Sequence, residues 1–296
     1  MDKFLNISDI PVTYINDALI ETNGISVGVL RLDLIHPIIS GNKLFKLKYY
    51  LEKAQKEQKT VLTHGGPFSN HLAATAYYCK LLNIKCRGIV RGEHEIPSSA
   101  TLQQCEQHGM HLEFVDRSIY SKLSNDLIES ATEVIIPEGG FGTLGVKGAA
   151  EIMQHQVLDD ATHLAISVGS ATTLAGLLVG NKKNIELIAV PAIKNMQDIQ
   201  ERLEKILKRK DFVVPTIFNE YHFGGFAKID VKLISFMNQF YTEYKIPTDR
   251  IYTSKLLFTI REKIEEGYFQ EGSKIIVIHT GGLQGNFTLT KNELIF

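Results

Sequence analysis

The chain has 296 residues, 44% of them apolar and 22% charged, and its 32 Lys plus Arg against 33 Asp plus Glu leave a net charge of −1. That balance gives no footing for nucleic acid, and no apolar run approaches the roughly 20 residues of a membrane span. Three cysteines (Cys79, Cys86 and Cys105), odd in number and without C-x-x-C spacing, read as reduced thiols of a cytoplasmic protein, and no H-E-x-x-H or Cys/His cluster suggests a metal. The opening MDKFLNISDIPVTYIND has no basic stretch followed by an apolar block, so it is not expected to be a secretion signal.

In chain order, the first telling stretch is SGNKLFKLKYY, residues 40–50. At 3.6 residues per turn Leu44, Leu47 and Leu51 share one helical face; Lys43 falls on that apolar side, with Lys46 and Lys48 on its flanks. Lys43 is then either a helix-end lysine whose stem lies on the core or a partly desolvated amine suited to Schiff-base chemistry.

Beyond it, short apolar runs alternate with amphipathic stretches. KTVLTHGG, KCRGIVRG, HLEFVD, EVIIPEGG, THLAISVGS, IELIAVPA and KIIVIHTGG read as strands, most of them continuously apolar as in strands buried on both faces. Helices are expected at 71–82, 143–156, 171–180, 194–209, 230–243 and 253–266. The alternation predicts an α/β architecture with mostly parallel sheets. No linker, repeat or low-complexity segment interrupts it, so a two-domain chain would have to cross between lobes twice.

Three strands end in glycine-rich turns, THGGPFSNH, SVGSATTLAG and IHTGGLQGN. A strand that passes through Gly, Ser and Thr into a helix leaves N–H groups aimed at an anion, and ligands of parallel sheets bind at such carboxyl ends. The best phosphate candidate is VGSATTLAGLLVG: Gly169 permits close approach, Ser170 is expected to cap the helix, and Thr172 and Thr173 add hydroxyls. It lacks the GKS/GKT of a nucleotide P-loop. GFGTLG at 140–145 matches G-x-G-x-x-G, yet the next strand ends in Gly-Ser instead of the carboxylate that a dinucleotide ribose requires. A nicotinamide-dependent oxidoreductase using that turn, and a non-catalytic protein on the same fold, stand as rival readings. HGGPFSNH resembles an oxyanion turn, but no G-x-S-x-G elbow accompanies it. A desolvated lysine, a phosphate-holding helix start and a Ser-Asn turn together are what pyridoxal 5′-phosphate needs.

As an assembly these motifs resemble the 1-aminocyclopropane-1-carboxylate deaminase/D-cysteine desulfhydrase family of pyridoxal-phosphate enzymes, over nearly the whole chain. The resemblance implies two open, mostly parallel twisted sheets flanked by helices, as in the tryptophan synthase β subunit (fold type II). Residues 1–48 and 141–296 would form the large cofactor-binding domain and 49–140 the small one. It makes Lys43 in SGNKLFKLKYY the lysine that carries the cofactor. In GGPFSNH, Ser69 would lie beside the substrate, Asn70 would bond the cofactor's ring oxygen, and His71 would contact the substrate. Gly169, Ser170, Ala171, Thr172 and Thr173 would hold the phosphate, and Thr280 in IHTGG would close the ring pocket. Tyr252 in RIYTSK matches one substrate-framing tyrosine, and Thr253 would face the pyridine nitrogen. The second tyrosine should stand at position 226, where FGGFAKID has Phe226; nearby Tyr221 and His222 offer other polar groups. A neutral Thr at the ring nitrogen favours elimination with a good leaving group. The expected reaction is therefore β-elimination from D-cysteine, giving pyruvate, ammonia and sulfide, with deamination of the cyclopropane amino acid as the alternative. The expected partners are a small amino-acid substrate and a second copy of the chain as a cytoplasmic homodimer, with neither nucleic acid nor membrane.

Overall fold

Apolar runs without alternation must hide both faces, and they do so here by lying between helices. The structure is a computed structural model that describes residues 6–93, 99–126, 129–194, 196–225, 227–289 and 293–296. The chain begins with β1 (Val12–Ile15), α1 (Ala18–Thr22) and β2 (Ser26–Arg31), then enters α2 (Asn42–Glu57). A first βα series follows: β3 (Thr60–Gly65), α3 (Asn70–Leu81), β4 (Cys86–Arg91), α4 (Ala100–Gln107), β5 (Met110–Val115), α5 (Arg117–Asp126) and β6 (Glu133–Ile136). A second runs through α6 (Thr143–Ala150), β7 (His163–Val168), α7 (Thr172–Gly180), β8 (Glu186–Pro191), α8 (Ile199–Leu207) and β9 (Thr216–Ile217). It closes with α9 (Val231–Tyr244), α10 (Thr253–Glu265) and β10 (Lys274–His279).

These strands form two open sheets. One has the order β5-β4-β3-β6, with every pair parallel. The other has the order β1-β2-β10-β7-β8-β9 and is parallel except for the β1–β2 pair. The α/β architecture read from the sequence is the one observed. Helix α2 serves both cores: Phe45 packs with the large-sheet core around Leu30, Ile166 and Ile278, whereas Leu44, Leu47, Leu51 and Ala54 pack with Val61, Leu72 and Ile136 of the smaller lobe. We propose lobe boundaries at 48/49 and 140/141; the first of these falls inside α2.

The expected helix at 143–156 is shorter, because the chain tightens into a 3-10 turn at Glu151–Gln154 and His155 turns extended. The His155 ring there pairs with the Ile10 carbonyl (2.9 Å) and accepts the Val157 N–H (3.1 Å), which stops further winding. Among the described residues no helix is long and apolar enough to cross a membrane, and no group of His, Cys, Asp and Glu is arranged to hold a metal.

The start of α2 against the carboxyl end of β10 sets up everything that follows. Gly41 has φ +75°, and a Cβ there would fall 1.7 Å from the Thr280 carbonyl oxygen, so only glycine lets the helix start so close to β10. The Asn42 N–H then donates to that carbonyl (3.1 Å).

Candidate active site

Three strand ends converge on the first turn of α2. From β10, the Thr280 carbonyl accepts the Asn42 N–H; from β7, Thr173 Oγ1 accepts the Asn42 side-chain amide (2.9 Å). From β3, the Asn70 amide donates to the Gly282 carbonyl (3.1 Å). The three glycine-rich turns singled out by sequence are therefore linked to one another around the start of α2, where Lys43 is the second residue.

The Lys43 amine donates to Asn42 Oδ1 (2.9 Å), and burial pulls it down to about 8, with Asp249 opposing the shift. Desolvation penalises the ammonium, so the neutral amine is accessible near neutral pH. Lys46 lies one turn further along and is not on a flank: it is only 4% exposed. Residues three apart share a helical face. Burial, and then repulsion from Lys43, hold the Lys46 amine well below the usual lysine range. No hydrogen bond or acid pairs with Lys46 among the described residues, whereas Lys48 on the true flank pairs with Glu151 (2.9 Å).

At the end of β7 the helix cap is not Ser170. Ala171 occupies that place with φ +63°, a left-handed conformation disfavoured for a residue with a Cβ, and no side chain among the described residues caps the N–H groups of α7. Ser170 Oγ pairs with Thr172 Oγ1 (3.0 Å). A left-handed residue before a helical one turns successive N–H groups into a concave anion nest, left uncapped here by the described side chains. Gly139 and Gly140 bring the β6 turn against this loop: a Cβ on Gly139 would lie 2.9 Å from Ser170 Oγ, and one on Gly140 3.1 Å from Lys46 Cβ. A Cβ on Gly145 would fall 1.9 Å from the Gly140 carbonyl oxygen. These close approaches account for glycines of the GFGTLG turn without a dinucleotide.

Ser69 caps α3 by accepting the Leu72 N–H (3.3 Å), which leaves its own proton free. Asn70 Oδ1 is buried with no partner among the described residues. His71 is buried; its Nε2 pairs with Thr63 Oγ1 (2.8 Å) while its Nδ1 has no partner among the described residues, and burial with the nearby Lys46 and Lys43 keeps the ring neutral. Tyr252 lies across the start of the anion loop, since a Cβ on Gly169 would come 3.2 Å from its ring. Burial, with Asp249 and Glu138 nearby, pushes its hydroxyl above the usual tyrosine range and keeps it protonated. Glu138 is held by the Tyr120 hydroxyl (3.1 Å), and its N–H donates to His64 Nε2 (3.1 Å).

Thr253 is not available in the way expected. Its hydroxyl donates to Asp249 Oδ1 (2.7 Å) and accepts the Asp249 N–H (2.7 Å), so its single proton is committed. Asp249, fully buried, also accepts the N–H groups of Ile251, Tyr252 and Thr253. Thr280 is also buried, and its hydroxyl makes no hydrogen bond among the described residues. Phe226 lies outside the described residues. Sequence reasoning missed Asp249, although an acid four residues before Thr253 at a helix start is a capping signal; Lys46 was legible from its i+3 spacing to Lys43.

A family model for "pyridoxal-phosphate dependent enzyme" matches residues 18–281. A Pyrococcus horikoshii protein provisionally assigned as a 1-aminocyclopropane-1-carboxylate deaminase is 28% identical over 94% of this chain and 90% of its own length. The D-cysteine desulfhydrase of Klebsiella pneumoniae is 25% identical over 89% of each chain. Among solved structures, an ACC deaminase homologue superposes with a TM-score of 0.78 at 23% identity, covering 96% of this chain and 93% of that one. With its three strand-end turns gathered around one desolvated lysine, the chain belongs to the pyridoxal-phosphate dependent enzyme family, and pyridoxal 5′-phosphate is its cofactor.

Proposed function

We propose that this enzyme catalyses β-elimination from D-cysteine, giving pyruvate, ammonia and sulfide, with Lys43 as the lysine that carries the cofactor. The observation that carries the reading is the Lys43 amine, pulled to about 8 at the meeting point of the three turns. The residues present fit the cofactor. Asn70 Oδ1 is a buried acceptor without a donor among the described residues, the kind of atom a ring hydroxyl satisfies. The uncapped start of α7, with Gly169, Ser170, Ala171, Thr172 and Thr173, suits a phosphate, and Lys46, unpaired among the described residues, would be drawn toward its charged form by that anion and supply its counter-charge. With the Thr253 proton committed to Asp249, the hydroxyl we assign to the ring nitrogen is that of Thr280.

When bound, the cofactor supplies an electron sink for the charge left at Cα. The chain's own groups do the rest. Lys43, neutral in part near pH 8, takes the proton from Cα. Ser69 keeps its hydroxyl proton for the substrate carboxylate, and His71 Nδ1 is a buried polar atom without a partner among the described residues. Tyr252 stays protonated and positions the amino acid as a donor. A neutral hydroxyl at the ring nitrogen keeps the sink modest, which suits a substrate whose thiolate leaves readily.

A second reading, deamination of the cyclopropane amino acid, is favoured by the name of the Pyrococcus relative. It would depend more on tyrosine hydroxyls, and position 226 is Phe. Keto-acid and sulfide release from D-cysteine, L-cysteine and the cyclopropane substrate decides between them. We expect turnover of D-cysteine, with cyclopropane deamination weak in the native protein and raised by Phe226→Tyr. Robust native deamination without sulfide release from D-cysteine would sink the desulfhydrase reading.

A further inference from the structure

Lys255 is a buried cation that the reaction outlined above does not use. It stands in the first turn of α10, where the positive end of the helix disfavours a cation, and it is 0% exposed. No carboxylate pairs with it among the described residues. Its ammonium donates instead to main-chain carbonyls, those of Gly225 (2.7 Å) and His222 (2.9 Å), with a longer contact to Ala192 (3.5 Å). Carbonyl dipoles converging on a cation without a counter-ion are the arrangement of a monovalent-cation site. Here the cation is supplied on a tether.

The carbonyls come from two separate segments. Ala192 directly follows β8, and its N–H donates to the carbonyl of Val168 (3.0 Å), the residue that leads into Gly169. His222 and Gly225 belong to the loop before α9, where Phe223, Gly224, Gly225 and Ala227 all have positive φ. Two of those four are not glycine, so local preference does not hold the loop in this shape. Phe223 packs on Phe258 of α10 (4.9 Å), which leaves the carbonyl side of the loop to Lys255. Without a cation those oxygens would face one another and repel.

We propose that Lys255 is a positioning residue whose tethered ammonium pins the His222–Gly225 loop to the carboxyl edge of the large sheet, one helical turn from Tyr252, and so fixes one wall of the amino-acid pocket. The inference rests on the reading of Tyr252 as a substrate-framing residue. It also predicts a property that a merely structural lysine would not have. In Lys255→Ala the carbonyl cage remains, and a free ammonium ion can fill it.

The test uses the cofactor-loaded Lys255→Ala protein. Amide hydrogen exchange across 222–228 should accelerate about tenfold or more, with β7 and β10 unchanged, and KM for D-cysteine should rise about tenfold with a smaller change in kcat. Ammonium or methylammonium chloride should reverse both effects, while tetramethylammonium chloride at the same ionic strength should not. Exchange unchanged from the native protein, or equal rescue by both kinds of salt, would overturn the proposal. Lys255→Met keeps the stem's volume without the charge, and it gives the same readout if the alanine variant does not fold: loop exchange should accelerate without ammonium rescue, and native-like exchange would show that packing alone holds the loop. Should the native protein fail to turn over D-cysteine, the reaction assigned above falls, while loop exchange and its ammonium rescue still decide the role of Lys255.

Discussion

Lys43 and Lys255 open two helices, the former as the second residue of α2 and the latter as the third of α10. Burial pulls both amines to about 8, and Asp249 opposes the shift in both. They differ in what holds them. Among the described residues Lys43 has one side-chain hydrogen bond, to its neighbour Asn42, at the start of α2 where the three turns are linked. Lys255 is wrapped by carbonyls from two segments. Desolvation makes an amine available for chemistry only if its protons are not already committed, so the same acidity suits Lys43 to the attack we propose for it and Lys255 to the bracing we propose there.

The sharpest way to break that comparison is to remove each lysine in turn and follow the cofactor's visible absorbance. Lys43→Ala should lose the borohydride-sensitive band and reduce turnover by about 10²–10⁴-fold, the range for removing a proton-transfer group. Lys255→Ala should keep the band. A band that survives Lys43→Ala and is still fixed by borohydride at another lysine would reverse the assignment.

The two lysines were not equally legible in the sequence. Lys43 announced itself because an apolar helical face of Leu44, Leu47 and Leu51 surrounds a residue that should not be there. Lys255 lies in TSKLLFTIREK, which reads as an ordinary amphipathic helix, and its partners are main-chain atoms of residues 192–225, which no side-chain pattern encodes. The same divide runs through the fold. Continuous apolar runs such as HLAISV and KIIVIH were readable as buried strands. Strand β2 (SVGVLR) escaped because Gly28 interrupts its run; a Cβ there would press on Ile276 and Val12 at 3.0 Å, so the gap reflects sheet packing that only the fold reveals. Strand β9 escaped because it is two residues long. Ser170 was misread as a cap because hydroxyl residues usually cap helices, whereas the left-handed Ala171 takes that place here and leaves the N–H groups free.

The anion side of the cleft sharpens the comparison from the other direction. Thr172 and Thr173 are both buried; the first pairs with Ser170 and the second accepts the Asn42 amide, so the pair links the loop we propose for the phosphate to the residue that bonds the Lys43 amine. Replacing both with Val keeps the shape and removes two hydroxyls. Charge-assisted hydrogen bonds contribute roughly 1.5–3 kcal/mol each, so cofactor retention should weaken by about tenfold or more, measured by equilibrium dialysis. Because Asn42 also loses its anchor, Lys43 should capture cofactor more slowly in this variant, while loop exchange at 222–228 should not change. Unaltered cofactor affinity would remove residues 169–173 from the site.

The smallest effect, and the one that separates the lysines without a mutation, is the pH dependence of cofactor capture by the cofactor-free protein. Only the neutral amine attacks the cofactor's aldehyde carbon, and burial sets the Lys43 amine at about 8 in place of the ordinary lysine value. The sign follows from that depression. Folding favours the neutral form, so capture should rise with pH up to about 8 and level off above it. With a single group titrating there, the rate should increase about fivefold from pH 7 to 8 and less than twofold from pH 8 to 9. Lys255 has a similarly lowered acidity, yet its protons are held by the carbonyls of His222 and Gly225. Borohydride trapping followed by peptide mapping at pH 7, 8 and 9 should therefore find the cofactor on Lys43 at every pH and none on Lys255. If Lys255 were labelled in parallel with Lys43, acidity alone would govern reactivity in this protein, and the carbonyl cage would not restrain the amine.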